Sequence, residues 1–314
     1  MENKINRRSF LKNSTFLGMS AIIGKDLFSA YPKGPWPQPA DLPQISVVTG
    51  SDYLKASYKA VELLGGIKKF IPKKSKVAIL PNTQSKHPGT HTSPEILKAI
   101  IRMCKDAGAK EIRSLSWLPQ KFWDESGLGE TLQTEGAALQ IVGKEASFFQ
   151  PVPVPKGKAL KEAWIMKELY DCDVLIDLPI SKDHVGNKFT GTMKNLMALN
   201  SPASNRTFHR QNWETDINDL HHLDQSIADL NTVIKPTLCI VDSTEFITTN
   251  GPFGPGKLLR PQKVVAGVDR IALDSYCANL LGLNPENIFM IKYGFEHGLG
   301  EMDLKKIAIK EVAI

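Results

Sequence analysis

Between residues 76 and 117 the chain runs strand, helix, strand, and that order constrains the fold more than any other stretch. Residues 76–80 (KVAIL) form a short apolar run. Ser93 is placed to cap a helix, with Pro94 at its first position and Glu95 in its electropositive first turn. Leu97, Ile100, Ile101 and Cys104 then make one apolar face, and Gly108 is placed to stop the helix. Residues 111–117 are the next strand. A strand–helix–strand unit in one sheet puts its strands parallel with a right-handed crossover. Parallel sheets are covered by helices on both faces.

The rest of the chain continues that alternation. Residues 52–70 carry Leu54, Tyr58, Val61 and Leu64 at helical period, with Gly65-Gly66 ending or interrupting the helix. Residues 173–179 (DVLIDLP) read as a buried strand stopped by Pro179. Residues 160–170 read as a short helix leading into it. A stronger helix is expected over 216–230, with Leu220, Leu223, Ile227 and Leu230 on one side. Residues 237–242 and 263–267 are strands. Residues 270–281 and 285–297 are helices, the second capped by Asn284 and ended by Gly298, and 306–312 is an edge strand. The prediction is an α/β fold, a mainly parallel sheet with helices on both faces and one less regular excursion near 118–160. Gly127, Gly129, Gly136, Gly143 and the PVPVPKGK cluster break the pattern there. With 314 residues and 42% apolar content, residues 44–314 suffice for a single α/β domain.

The N-terminus is different in kind. Residues 6–12 (NRRSFLK) match the twin-arginine export signal, and the apolar run after them is too short to span a membrane. Residues 1–30 read as that signal, engaging the twin-arginine export machinery through 6–24. The expected location is periplasmic or otherwise exported, with a membrane tether only if the signal stays uncleaved. Pro32, Pro35, Pro37, Pro39 and Pro43 make 31–43 an extended linker. Of the net charge of +6, four charges fall in residues 1–25, so the body is nearly neutral and carries no nucleic-acid signature. The four cysteines stand far apart, each in an apolar setting, and none forms a CxxC motif for an iron–sulfur cluster or zinc.

Three strand ends release chemistry. In open α/β sheets, ligands bind outside the carboxyl ends of the strands. The first strand opens into Asn82, His87, His91 and Thr92. The 173–179 strand opens into Lys182, His184, Lys194 and Asn195. The 237–242 strand ends on Asp242 and opens into GPFGPGK, where Gly251, Gly254, Gly256 and Lys257 form either an anion cradle or a rigid turn. If the strands are parallel, these loops converge. His184, Lys182 and Asp242 are then catalytic candidates. Asn82, Thr92, Lys194, Asn195 and the 251–257 glycines and lysine are ligand-binding candidates. His91 and His184 are candidate ligands for a divalent transition metal.

Several segments carry a resemblance: HTSPEILKAIIRMCKDAGAKEI, DVLIDLPISKDH with TGTMKNLMAL, NGPFGPG and VVAGVDRIALDSYCANLLG. Together they resemble the domain-of-unknown-function 362 family, over about residues 76–303. The family's lysine–x–histidine pattern is matched by Lys182-Asp183-His184. Its usual glycine after the KN-L-M run is replaced by Ala198-Leu199-Asn200. The lysine and histidine usage also bears a remote likeness to nickel enzymes of the lactate-racemase type. The family implies no particular reaction. The expectations are an exported small-molecule enzyme, a non-catalytic anion- or cofactor-binding protein, or an accessory factor of a redox complex.

Overall fold

The computed structural model describes residues 44–314. The expected signal and linker, residues 1–43, lie outside the described residues. The main sheet has eight strands. They are β1 (Ile45–Thr49), β2 (Lys76–Pro81), β3 (Glu111–Ser116), β4 (Ala138–Ile141), β7 (Val174–Leu178), β10 (Leu238–Ser243), β13 (Lys263–Gly267) and β14 (Ile309–Ala313). Their order is β14-β1-β13-β10-β7-β2-β3-β4. All run in one direction except β13, which is antiparallel to both β1 and β10. The expected mainly parallel α/β sheet is therefore present, with the strands at 76–81, 174–178 and 238–243 side by side through β7.

Two-residue alternation sorts each strand between two cores. Val77 and Ile79 of β2, with Val174, Ile176 and Leu178 of β7, pack beneath helices α1 (Tyr53–Leu63) and α2 (Pro94–Asp106). Ala78, Leu80 and Leu175 face the other layer, which holds α7 (Ile217–Leu230), α8 (Arg270–Leu280) and α9 (Phe289–Glu296). Asp177 falls on that second face by parity, a carboxyl group where the pattern calls for an apolar residue.

The excursion near 118–160 is more ordered than its glycines suggest. It holds α3 (Gln120–Glu125), α4 (Leu128–Thr134) and edge strand β4. The helix expected over 160–170 is instead strand β6 (Glu162–Met166), antiparallel to β5 (Phe149–Pro153). Buried Ala163 and Ile165 sit two apart, a strand period. The prolines of β5 leave only extended backbone for their own segment. The helix expected over 285–297 breaks at Ile288 into a single turn (Pro285–Asn287) and α9.

Chain order reverses between β2 and β7. From β2 the chain proceeds to β3 and β4 on one side, whereas β7 leads to β10 on the other. Such a switch point opens a crevice at the carboxyl ends of the two strands.

Candidate functional site

The three loops expected to converge do so at this crevice and lock onto one another. Gly251 N–H donates to Asp183 Oδ2 (2.8 Å), Val185 N–H to Gly251 O (3.2 Å) and Ser85 Oγ to Phe253 O (2.6 Å). Between them lies a cleft of ≈ 380 Å³. Its walls include Asn82, His184, Thr190, Lys194 and Asn195, with Trp117 and Trp213 also facing it.

A small hairpin presents the first of these groups. β8 (Lys182–His184) pairs antiparallel with β9 (Lys188–Thr190), placing Lys182 opposite Thr190. Residues two apart on a strand share a face, so Lys182 and His184 point one way and Asp183 the other, toward Gly251. Gly186, at φ 74°, makes the turn. A Cβ there would stand 3.0 Å from the Trp213 ring.

His184 Nδ1 lies 2.5 Å from the carbonyl oxygen of Val185. A carbonyl only accepts, so Nδ1 carries the proton and Nε2 keeps its lone pair. Burial, and then the charge of Lys194, hold the imidazole well below its ordinary pKa, and therefore neutral. His209, also on the cleft wall, repeats the pattern: Nδ1 donates to Asn205 O (2.7 Å), and burial with Lys194 lowers its pKa. Trp213 stands against both rings, with centroids 5.6 Å from His184 and 4.9 Å from His209.

Lys194 and Asn195 come from α5 (Thr192–Asn195), a helix of one turn. So short a helix cannot hold itself, and a carboxylate from elsewhere caps it. Asp274 of α8 accepts from Thr192 N–H (2.6 Å), Thr192 Oγ1 (2.9 Å) and Met193 N–H (3.1 Å). Burial nonetheless pushes Asp274 up to about 6. Lys194 Nζ donates to Asn187 Oδ1 (2.9 Å), and the Asn187 amide donates in turn to Asp224 Oδ1. An amide thus stands between the cation and the carboxylate. Burial lowers the lysine pKa and raises that of the aspartic acid.

Lys182 lies behind the wall, with no exposed surface. Its Nζ donates to Thr90 O (2.5 Å) and Asn82 Oδ1 (3.1 Å). That fixes the Asn82 amide, whose Nδ2 donates to Asn195 Oδ1 (3.1 Å). Asn195 then spends its own Nδ2 on Leu80 O (2.9 Å) and Asp177 Oδ1 (2.8 Å). The line runs in one sense only, from an ammonium donor to a carboxyl acceptor. One Asn82 N–H and one Asn195 lone pair remain beyond these bonds. Thr190, 3% exposed on the cleft wall, has a hydroxyl with no partner among the described residues. Its hydroxyl is a buried donor facing whatever enters the cleft.

Other expected site residues do structural work. Asp242 Oδ2 accepts from Ser93 N–H (2.7 Å), and its Oδ1 accepts from Thr244 N–H (2.9 Å) and Oγ1 (2.6 Å). It ties β10 to the start of α2 and is not on the cleft wall. Thr92 Oγ1 donates to Leu178 O (2.7 Å) and is fully buried. Residues 251–253 form part of the cleft wall. Gly254 N–H goes to Asn250 O (2.9 Å), Lys257 N–H goes to Thr249 Oγ1 (2.9 Å), and the Lys257 side chain is exposed. Gly256 lies against Thr249 O and Ile247, with no room for a side chain.

His91 Nδ1 donates to Ser85 O (2.9 Å), away from the cleft lining. No three His, Cys, Asp or Glu side chains among the described residues converge to hold a metal. Of the two histidines expected as metal ligands, His184 is on the cleft wall and His91 is not. Trp117, Thr190, His209 and Trp213 were not among the candidates read from sequence. Thr190 had a signal in its place eight residues past Lys182; the others arrive from remote segments.

Among proteins of known sequence, the chain is 24% identical over 235 residues to the thylakoid-associated protein sll1697 of Synechocystis, covering 73% of this chain and 70% of that one. Among solved structures it is similar to the lactate racemase apoprotein of Thermoanaerobacterium thermosaccharolyticum, at 15% identity and a TM-score of 0.46. The alignment covers 74% of this chain, which spans only 56% of the racemase. A Thermotoga maritima protein aligns at 15% identity and a TM-score of 0.38, over 62% of this chain and 51% of its own. Residues 77–279 match the domain-of-unknown-function family DUF362, and the chain belongs to that family.

Proposed function

We propose that the cleft is the active site of an enzyme that acts on a small anionic molecule by proton transfer. One observation carries this reading. A half-buried lysine, an orphaned threonine hydroxyl and two neutral imidazoles with free Nε2 lone pairs share one cavity. In these roles, Lys194 and Thr190 hold the anion, with the remaining Asn82 N–H as a third donor. His184 Nε2 takes a proton from the bound molecule and returns it. Burial keeps its Nε2 lone pair unprotonated at neutral pH, and the negative charge of a bound anion beside it would raise its basicity toward the range a general base needs. Lys182 acts through Asn82, as a positioning residue.

The test is in two steps. A panel of small carboxylates and phosphates should contain anions that raise the melting temperature of the wild type and not of Lys194→Met. For a carboxylate that binds, nuclear magnetic resonance in D2O should show exchange of an acidic carbon-bound proton, slowed at least a hundredfold by His184→Gln. Anion binding with no exchange would assign the cleft to a non-catalytic binding protein. No stabilisation by any anion would sink both.

We also propose export by the twin-arginine route, on Arg7-Arg8 followed by Phe10-Leu11-Lys12. No helix among the described residues is long and apolar enough to cross a membrane.

A further inference from the structure

The polar groups of the cleft account for a charged head and a transferable proton, but not for the rest of its walls. Three indoles line it, Trp117, Trp123 and Trp213, with Phe253 at the rim. Each is held. Trp123 is buried and donates Nε1–H to Ser116 Oγ (3.2 Å). Trp117 carries Lys144 Nζ 5.9 Å from its ring centroid. Trp213 is wedged against Gly186 and the two histidine rings. Phe253 is 57% exposed although Ser85 fixes its backbone, so a large apolar ring is kept facing water. Trp117 and Trp213 are only half-buried. Aromatic faces hold offset or edge-on rings by a quadrupolar attraction that adds to the area covered and that an aliphatic chain does not supply.

Size points the same way. The cavity of ≈ 380 Å³ falls in the range of roughly 300–1,000 Å³ typical of sites for ligands with a substantial apolar body. An acid of three or four carbons would leave most of the indole surface wet. We propose that the ligand is an aromatic acid: a flat one- or two-ring body lying among Trp117, Trp213 and Phe253, with its carboxylate toward Lys194 and Thr190. This rests on the anion-binding reading above and adds the class of the body.

Calorimetric titration of the full chain with four probes separates the two claims. Naphthoate has ring and charge, octanoate a comparable apolar body without a ring, acetate the charge alone, and naphthylmethanol the ring alone. Naphthoate is expected to bind at least tenfold more tightly than each of the others. Trp117→Leu should weaken naphthoate at least fivefold and leave octanoate within twofold. Trp213→Phe, which keeps a ring, should cost less than Trp213→Leu. Melting curves confirm that each variant is folded. Octanoate binding as tightly as naphthoate, or naphthoate indifferent to both leucine variants, overturns the aromatic proposal and leaves the anion site intact. Naphthylmethanol matching naphthoate, with Lys194→Met without effect, overturns the anion reading and the proposal with it.

Discussion

Lys182 joins two neutral oxygens, from Asn82 and Thr90, and has no exposed surface. Burial, with the charge of Lys194, pulls its pKa from 10.5 down to about 7. A lysine whose pKa falls on folding favours the folded state fully above its unfolded value. That contribution is lost as pH falls from about 10.5 through about 7. The melting temperature of the wild type should therefore improve relative to Lys182→Met as pH rises across that window, by roughly 5 °C or more. Removing the ammonium also strands two acceptors, but that offset does not vary with pH. A difference that stays flat across the window would show that the buried lysine is not shifted. The sequence made Lys182 and His184 legible as polar residues released where the 173–179 strand ends, but the short strand whose alternation sends both to one side shows only in the structure. The sequence could not separate Asp242 from a catalytic acid. A carboxylate at a strand end looks alike in sequence whether it meets a ligand or two backbone N–H groups.

At the scale of elements, the site hangs on α5, a single turn bearing both Lys194 and Asn195. Its first N–H groups are satisfied by Asp274, eighty-two residues from Thr192 in sequence. Asp274→Ala should cost about 3 kcal/mol, from a lost cap and stranded buried donors. It should also weaken anion binding more than tenfold, although Asp274 is not on the cleft wall. Thermal melts and calorimetry check both numbers, and unchanged anion affinity in a destabilised variant would show that α5 keeps its place without the cap. This dependence explains why regular elements were legible and the cleft only half so. Strands and helices announce themselves through local period, as in the βαβ unit at 76–116. Trp117, His209 and Trp213 share one cleft only because the end of β3 and the helix Pro202–His209, with the residues after it, are folded onto the hairpin at 182–190. No local spacing encodes that meeting. The helix expected at 160–170 failed for a related reason: Ala163 and Ile165 alternate over too few residues to outweigh the longer helical reading.

For the whole molecule, export by the twin-arginine route requires a body that folds before it crosses. Exchanging both Arg7 and Arg8 for Lys keeps the charge and removes the guanidinium forks that lysine cannot mimic. That variant should stay inside the cell, folded and with unaltered ligand affinity, as fractionation and calorimetry would report. Equal export of variant and parent would refute the signal. Sheet order adds a matter of timing. β1, at residues 45–49, has only β13 and β14 as neighbouring strands, so its first strand partner appears at Lys263. At about 5–20 residues per second of synthesis, an apolar strand made near the start waits on the order of ten to forty seconds with nothing to pair with. An unpaired apolar strand edge is open to aggregation throughout that interval, before the cleft exists to bind anything.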